Sequence, residues 1–185
     1  EEGWRLWDET KDQLTKEAYK SRAKKVARWF AANGITRVRT HLDVNSDDRS
    51  EVGLDAMLEV REELAGFVDI QLVAFPMGCL HTGSEAKLDR FETAMERGAD
   101  VVGGIPHREH ITEDGNAHVR TVLDTAERYD AQADLHIDET DDPQSRYTGV
   151  LASETLKRGL GGRVTASHAT ALHSYENAYA DKLVR

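Results

Sequence analysis

Apolar residues recur along this chain at two different spacings. From about Leu14 to Asn33, Ala18, Ala23, Val26, Ala27 and Phe30 return at helical intervals, and Asn33-Gly34 supplies a stop. The period then shortens. Thr36 to Val44, TRVRTHLDV, is brief and β-branched, as a strand requires. A polar loop is expected from Asn45 to Ser50, and a helix from about Glu51 to Leu64 on Leu54, Met57, Leu58 and Val60. The alternation repeats. Further strands are expected at Asp69–Phe75, Asp100–Ile105, Gln132–Ile137 and Gly162–Ser167. Helices are expected at about Ser84–Arg97, Gly115–Tyr129 and Tyr147–Arg158, with a last one beginning near Ser174.

One helix followed by five strand–helix units of about 30 residues predicts βαβ crossovers and a parallel sheet. Strands covered on both faces should be almost continuously apolar, and these largely are. Two architectures compete, an open doubly wound sheet and a (β/α) barrel. No G-x-G-x-x-G follows the first strand, so the dinucleotide-binding signature is absent. A closed barrel has eight strands and typically ~250 residues. A barrel built from five strands would be partial.

Composition narrows the function classes. The 185 residues suit one domain. Lys and Arg total 24 against 34 Asp and Glu, a net charge of -10. That balance argues against nucleic acid and anionic membranes as partners, since both are bound by basic patches. No apolar run approaches the ~20 residues of a membrane span, and the opening residues form no secretory leader. The single cysteine, Cys79, excludes an internal disulfide and suits a reducing cytoplasm.

Candidate chemistry collects at the carboxyl ends of the expected strands, where α/β active sites form. These ends carry His41 and Asp43, His107, His136 with Glu139, and Ser167 with His168. Neutral imidazoles suit zinc, iron, nickel or copper, although this spacing is no closed metal motif. His136 and Glu139 support two readings. A strand-end histidine with a carboxylate three residues later suits a metal hydrolase. Equally, Glu139, Asp141 and Asp142 form a solvated acidic loop capping the next helix. His107 and His110 lack a helix to make them a metal pair, and His173 is expected to pack or cap. Cys79 has no basic partner nearby in sequence. Gly103-Gly104 reads as close backbone packing, and Trp4, Trp7 and Trp29 as cover for the core.

Five segments carry a resemblance: Arg39–Val44 (RTHLDV), Gln71–Pro76 (QLVAFP), Gly98–His107 (GADVVGGIPH), His136–Asp142 (HIDETDD) and Thr165–Tyr175 (TASHATALHSY). In order, from roughly Trp29 onward, they resemble the bacterial cytosine deaminases of the amidohydrolase superfamily. The resemblance implies a distorted TIM barrel with a mononuclear iron or zinc site. The chain then forms one incomplete barrel domain over residues 1–185, holding barrel strands two to six. His136 matches the family's metal-ligand histidine. Glu139 matches the carboxylate that moves protons between the attacking water and the pyrimidine ring. His168 matches the histidine that orients that water. The implied reaction turns cytosine into uracil with loss of ammonia.

Two departures accompany the resemblance. The family's His-x-His pair and its metal-binding aspartate have no counterpart here, and His41 and Asp138 read as supports behind the ligands. The family's substrate-binding glutamine is replaced by Met77, whose thioether lacks the two-sided hydrogen bonding of an amide. Met77 and His107 are therefore expected at the substrate, which becomes a cytosine, a triazine or a substituted pyrimidine. The partner is in each case a small heterocycle, and a homo-oligomer stays open. A non-catalytic, truncated remnant is the remaining alternative, with the length itself as the sign of truncation.

Overall fold

The structure, a computed structural model, describes residues 2–11, 14–44, 50–82 and 86–185. Two helices, α1 (Glu2–Lys11) and α2 (Lys16–Ala32), precede β1 (Arg37–Asp43). Then α3 (Ser50–Glu63), β2 (Asp69–Phe75), α4 (Ala86–Glu96) and β3 (Val101–Gly104) alternate. A 3-10 turn, Pro106–Arg108, leads into α5 (Thr112–Arg128), β4 (Gln132–Ile137), α6 (Tyr147–Arg158) and β5 (Val164–His168). A second 3-10 turn, Thr170–Ser174, and α7 (Asn177–Leu183) follow.

The strands lie side by side in chain order, β1-β2-β3-β4-β5, and every pairing is parallel. A doubly wound sheet reverses its strand order at a switch point. This sheet has no such reversal, which decides between the two expected architectures. The five strands curl into a half-barrel, a partial TIM barrel.

Alternation along the strands separates two environments. Outward residues, among them Leu72, Ala74, Val102, Leu135 and Ile137, join the main core under the helices. α5 meets that core with Val119, Val122, Leu123 and Ala126, all buried on one stripe. Inward, Val73, Phe75, Val101 and Ile105 form a second apolar cluster, with Met77 packed against it. Gly103 is required there, because a Cβ would stand 2.7 Å from the Phe75 ring and from the Ala74 carbonyl. Deeper in the lumen the inner face turns polar. Arg39 donates to Gln71, to Gln132 and, across the lumen, to Asp134 at 2.9 Å.

The expected elements recur with shifted ends. α5 begins at Thr112 rather than Gly115, because its polar first turn, Thr112-Glu113-Asp114, carries no apolar signal. The last stretch divides into a 3-10 turn and α7 rather than one helix from Ser174. α1 was not expected. Along its surface Arg5 pairs with Glu2 and Glu9. The expectation that all strands are covered on both faces fails at β5, which is largely exposed as an edge. Trp29 does not cover the core either. It is 58% exposed beneath the Lys25 ammonium, while the Trp4 and Trp7 side chains lie outside the described residues. So do 45–49 of the expected polar loop, whereas Ser50 opens α3.

Candidate active site at the carboxyl mouth of the half-barrel

His136 is the penultimate residue of β4, and His168 closes β5 beside it. Register places Ser167 opposite His136 and His168 opposite Ile137. His168 then leaves the pleat with φ 70, followed by Ala169 at φ 48, and Asp138 leaves β4 with φ 49. Three non-glycine residues in the left-handed region store strain at one mouth, a pattern typical of functional sites. The turn brings Glu139 back. The ligand atoms of His136, Glu139 and His168 all lie within 4.8 Å of one another. His168 Nδ1 stands 3.6 Å from Glu139 Oε1, with the two side chains 38% and 44% exposed.

Three imidazoles run in a row. His136 lies with its ring 4.5 Å from His41 on one side and 4.5 Å from His168 on the other, and Phe75 closes the back at 4.6 Å. Burial, reinforced by the neighbouring His41 and His168, lowers the His136 pKa to about 4. Its ring is therefore neutral near pH 7, the form that ligates metals. Burial also lowers His41 and His107. His41 Nε2 and His107 Nδ1 are enclosed without a hydrogen-bond partner among the described residues. Asp134 Oδ2 stands 3.8 Å from His41 Nε2. Burial opposes ionisation of Asp134, but bonds from Ser167 and Arg39 outweigh it and hold its pKa down.

The acidic loop after β4 divides its tasks. Asp138, fully buried, accepts from the Ser145 hydroxyl and from the Tyr147 and Thr148 amides at the start of α6. It caps that helix and so fixes the peptide next to Glu139. Asp142 accepts from the Gln144 amide and closes a local turn. Glu139 is left free of such duties and faces His168. His107 and Glu139 both line a polar cavity of about 570 Å³. His41 and Met77 line a neighbouring, mostly apolar cavity of about 480 Å³ against α2 and α3. His110 is exposed, and His173 accepts no partner from the cluster but bonds the Thr170 carbonyl.

One buried pair escaped the sequence reading. Glu109 and His118, with side chains 0% exposed, are joined at 2.8 Å. A signal was present: Asp114, His118 and Thr121 recur at i, i+4 and i+7 and mark a polar face of α5.

No family model matches the chain. A solved 5-methylcytosine deaminase from Klebsiella pneumoniae, liganded with phosphonocytosine, aligns over 100% of this chain and 44% of its own, with 43% identity and a TM-score of 0.94. N-isopropylammelide isopropyl amidohydrolase of Pseudomonas sp. strain ADP is 30% identical over 82% of this chain and 37% of its own. Pterin deaminase of Rhizobium rhizogenes is 28% identical over 76% of this chain and 31% of its own. The chain spans less than half the length of each of these relatives. Fold, motifs and sequence likeness converge: the chain matches a cytosine deaminase-like stretch of the amidohydrolase superfamily.

Proposed function

We propose that this sequence is part of a metal-dependent enzyme that hydrolytically deaminates cytosine or a related cyclic amidine. The reading is carried by the convergence of His136, Glu139 and His168 within 4.8 Å. The His136 imidazole is a donor suited to iron or zinc, and Glu139 and His168 stand beside it within reach of a water held there. His136 is the ligand in this reading, with further ligands expected from outside these residues. When bound, the metal lowers the pKa of a water and makes it a nucleophile near pH 7.

The chain's own residues do the rest. Glu139 accepts a proton from the attacking water and delivers it to the ring nitrogen. His168 holds that water towards the amidine carbon. A C–O bond forms, the C–N bond breaks, and the amino group leaves as ammonia with protons relayed through Glu139. His41 packs against His136 and sets its orientation, with Asp134 behind it. His107 lines the cavity in which the substrate would sit, and Asp138 holds the peptide that carries Glu139.

A second reading concerns the substrate. Met77 sits with Val73, Phe75, Val101 and Ile105 and extends an apolar wall. Such a wall favours an apolar ring substituent, as on a substituted pyrimidine or a triazine. We read these residues as part of a single barrel domain, and their one thiol, Cys79, as suited to a reducing cytoplasm. No described helix is long and apolar enough to cross a membrane. The whole protein, purified with stoichiometric metal, is expected to release ammonia from cytosine or 5-methylcytosine. Absence of ammonia from these, isocytosine and amino-triazines would sink the reading.

A further inference from the structure

The loop after β2 and the loop after β3 are tied together at one buried point. Glu109 Oε1 accepts the Leu80 amide at 2.5 Å and the His81 amide at 3.0 Å, and Oε2 accepts the Thr82 amide at 3.1 Å. His118, from α5, donates from Nδ1 to the same carboxylate. Its other nitrogen, Nε2, accepts the Ile105 amide at 3.1 Å. These partners fix the tautomer, because Nε2 must stay unprotonated to receive that bond. The α5 face adds two more ties, His81 Nε2 to Thr121 at 2.9 Å and Thr82 to Asp114 at 3.2 Å.

The pair joins the two segments that carry the candidate substrate contacts. Met77 lies three residues before Leu80, and His107 lies between Ile105 and Glu109. Ile105 also packs in the cluster against which Met77 rests. Neither Glu109 nor His118 belongs to the His136–Glu139–His168 cluster. A buried carboxylate holding four donors makes the connection between the two loops rigid. We propose that Glu109 and His118 are positioning residues that set the distance between Met77 and His107 and so determine which ring substituents the active site accepts. This rests on the deaminase reading above.

The two sides of the pin separate by substitution in the whole protein. His118→Asn keeps a donor for Glu109 and loses the acceptor for Ile105. His118→Gln offers an acceptor towards Ile105 and releases Glu109. With metal content and thermal unfolding measured on each, His118→Gln is expected to raise KM about tenfold, with kcat within about threefold, and to change the cytosine to 5-methylcytosine preference. Amide exchange is expected to quicken at 76–82 in His118→Gln and at 105–108 in His118→Asn. Loss of melting temperature with unchanged KM, unchanged preference and parental exchange at both segments would overturn the proposal. If the unsubstituted protein deaminates nothing, the deaminase reading fails alone. The exchange pattern then still decides whether the pin sets the two segments.

Discussion

Two histidine–glutamate pairs among the described residues are opposites. Glu109 and His118 are wholly enclosed, and every donor and acceptor around them is matched. Glu139 and His168 stand 3.6 Å apart at the mouth, partly exposed, on a backbone bent into left-handed conformations. The same residue types thus do different work. A satisfied pair has no bond left to offer a ligand and serves as a rivet. An unsatisfied pair, held in place by strained backbone, keeps its valences for something that arrives.

The sharpest way to break this contrast is Glu139→Gln. Turnover of the whole protein is expected to fall on the order of a thousandfold, with bound metal and unfolding temperature unchanged. A loss of stability instead would make Glu139 a rivet too. The converse substitution, Glu109→Ala, strands three amides and an imidazole N–H in the interior. It is expected to destabilise the fold by about 3 kcal/mol in denaturant titrations. A smaller loss than for a surface carboxylate would dissolve the distinction.

Acid sharpens it further. Burial lowers the His118 pKa from 6.5 in the folded chain, so below pH 6.5 the unfolded chain takes up a proton that the folded one refuses. For Glu109, burial opposes ionisation, but the bonds from His118 and the two amides outweigh it and bring the pKa to about 2 from 4.5. Its stabilising contribution is present above pH 4.5 and fades as pH falls towards 2. Both groups act in one direction. Stability is expected to decline on acidification from pH 6.5, and His118→Gln to flatten the first part of that decline. Last, Met77→Gln is expected to shift preference towards unsubstituted cytosine by about tenfold, read as the ratio of kcat/KM values.

The mouth was legible in the sequence because its residues ride on strands. Short apolar, β-branched runs mark where a strand ends, and His136 and His168 fall at those ends with Glu139 just beyond. That a barrel of five strands would be partial followed from the strand count, whereas the choice of a barrel over an open sheet needed the strand order. The Glu109 pin was not legible, because it joins a loop, a helix and a second loop whose spacing obeys no local period. The exposed β5 and Trp29 were misjudged for a related reason. Composition reports that a residue prefers burial, but not whether anything lies against it.

The sequential strand order also bears on how this arc assembles. Each strand pairs with its predecessor across one helix, so most ties close short loops and can form unit by unit as the chain emerges. Arg39 is different. Its bond to Asp134 spans 95 residues and that to Gln132 spans 93. That bridge can form only once β4 has docked, which makes it a late latch on the curvature of the sheet. Arg39→Ala is therefore expected to speed unfolding and leave the refolding rate nearly unchanged.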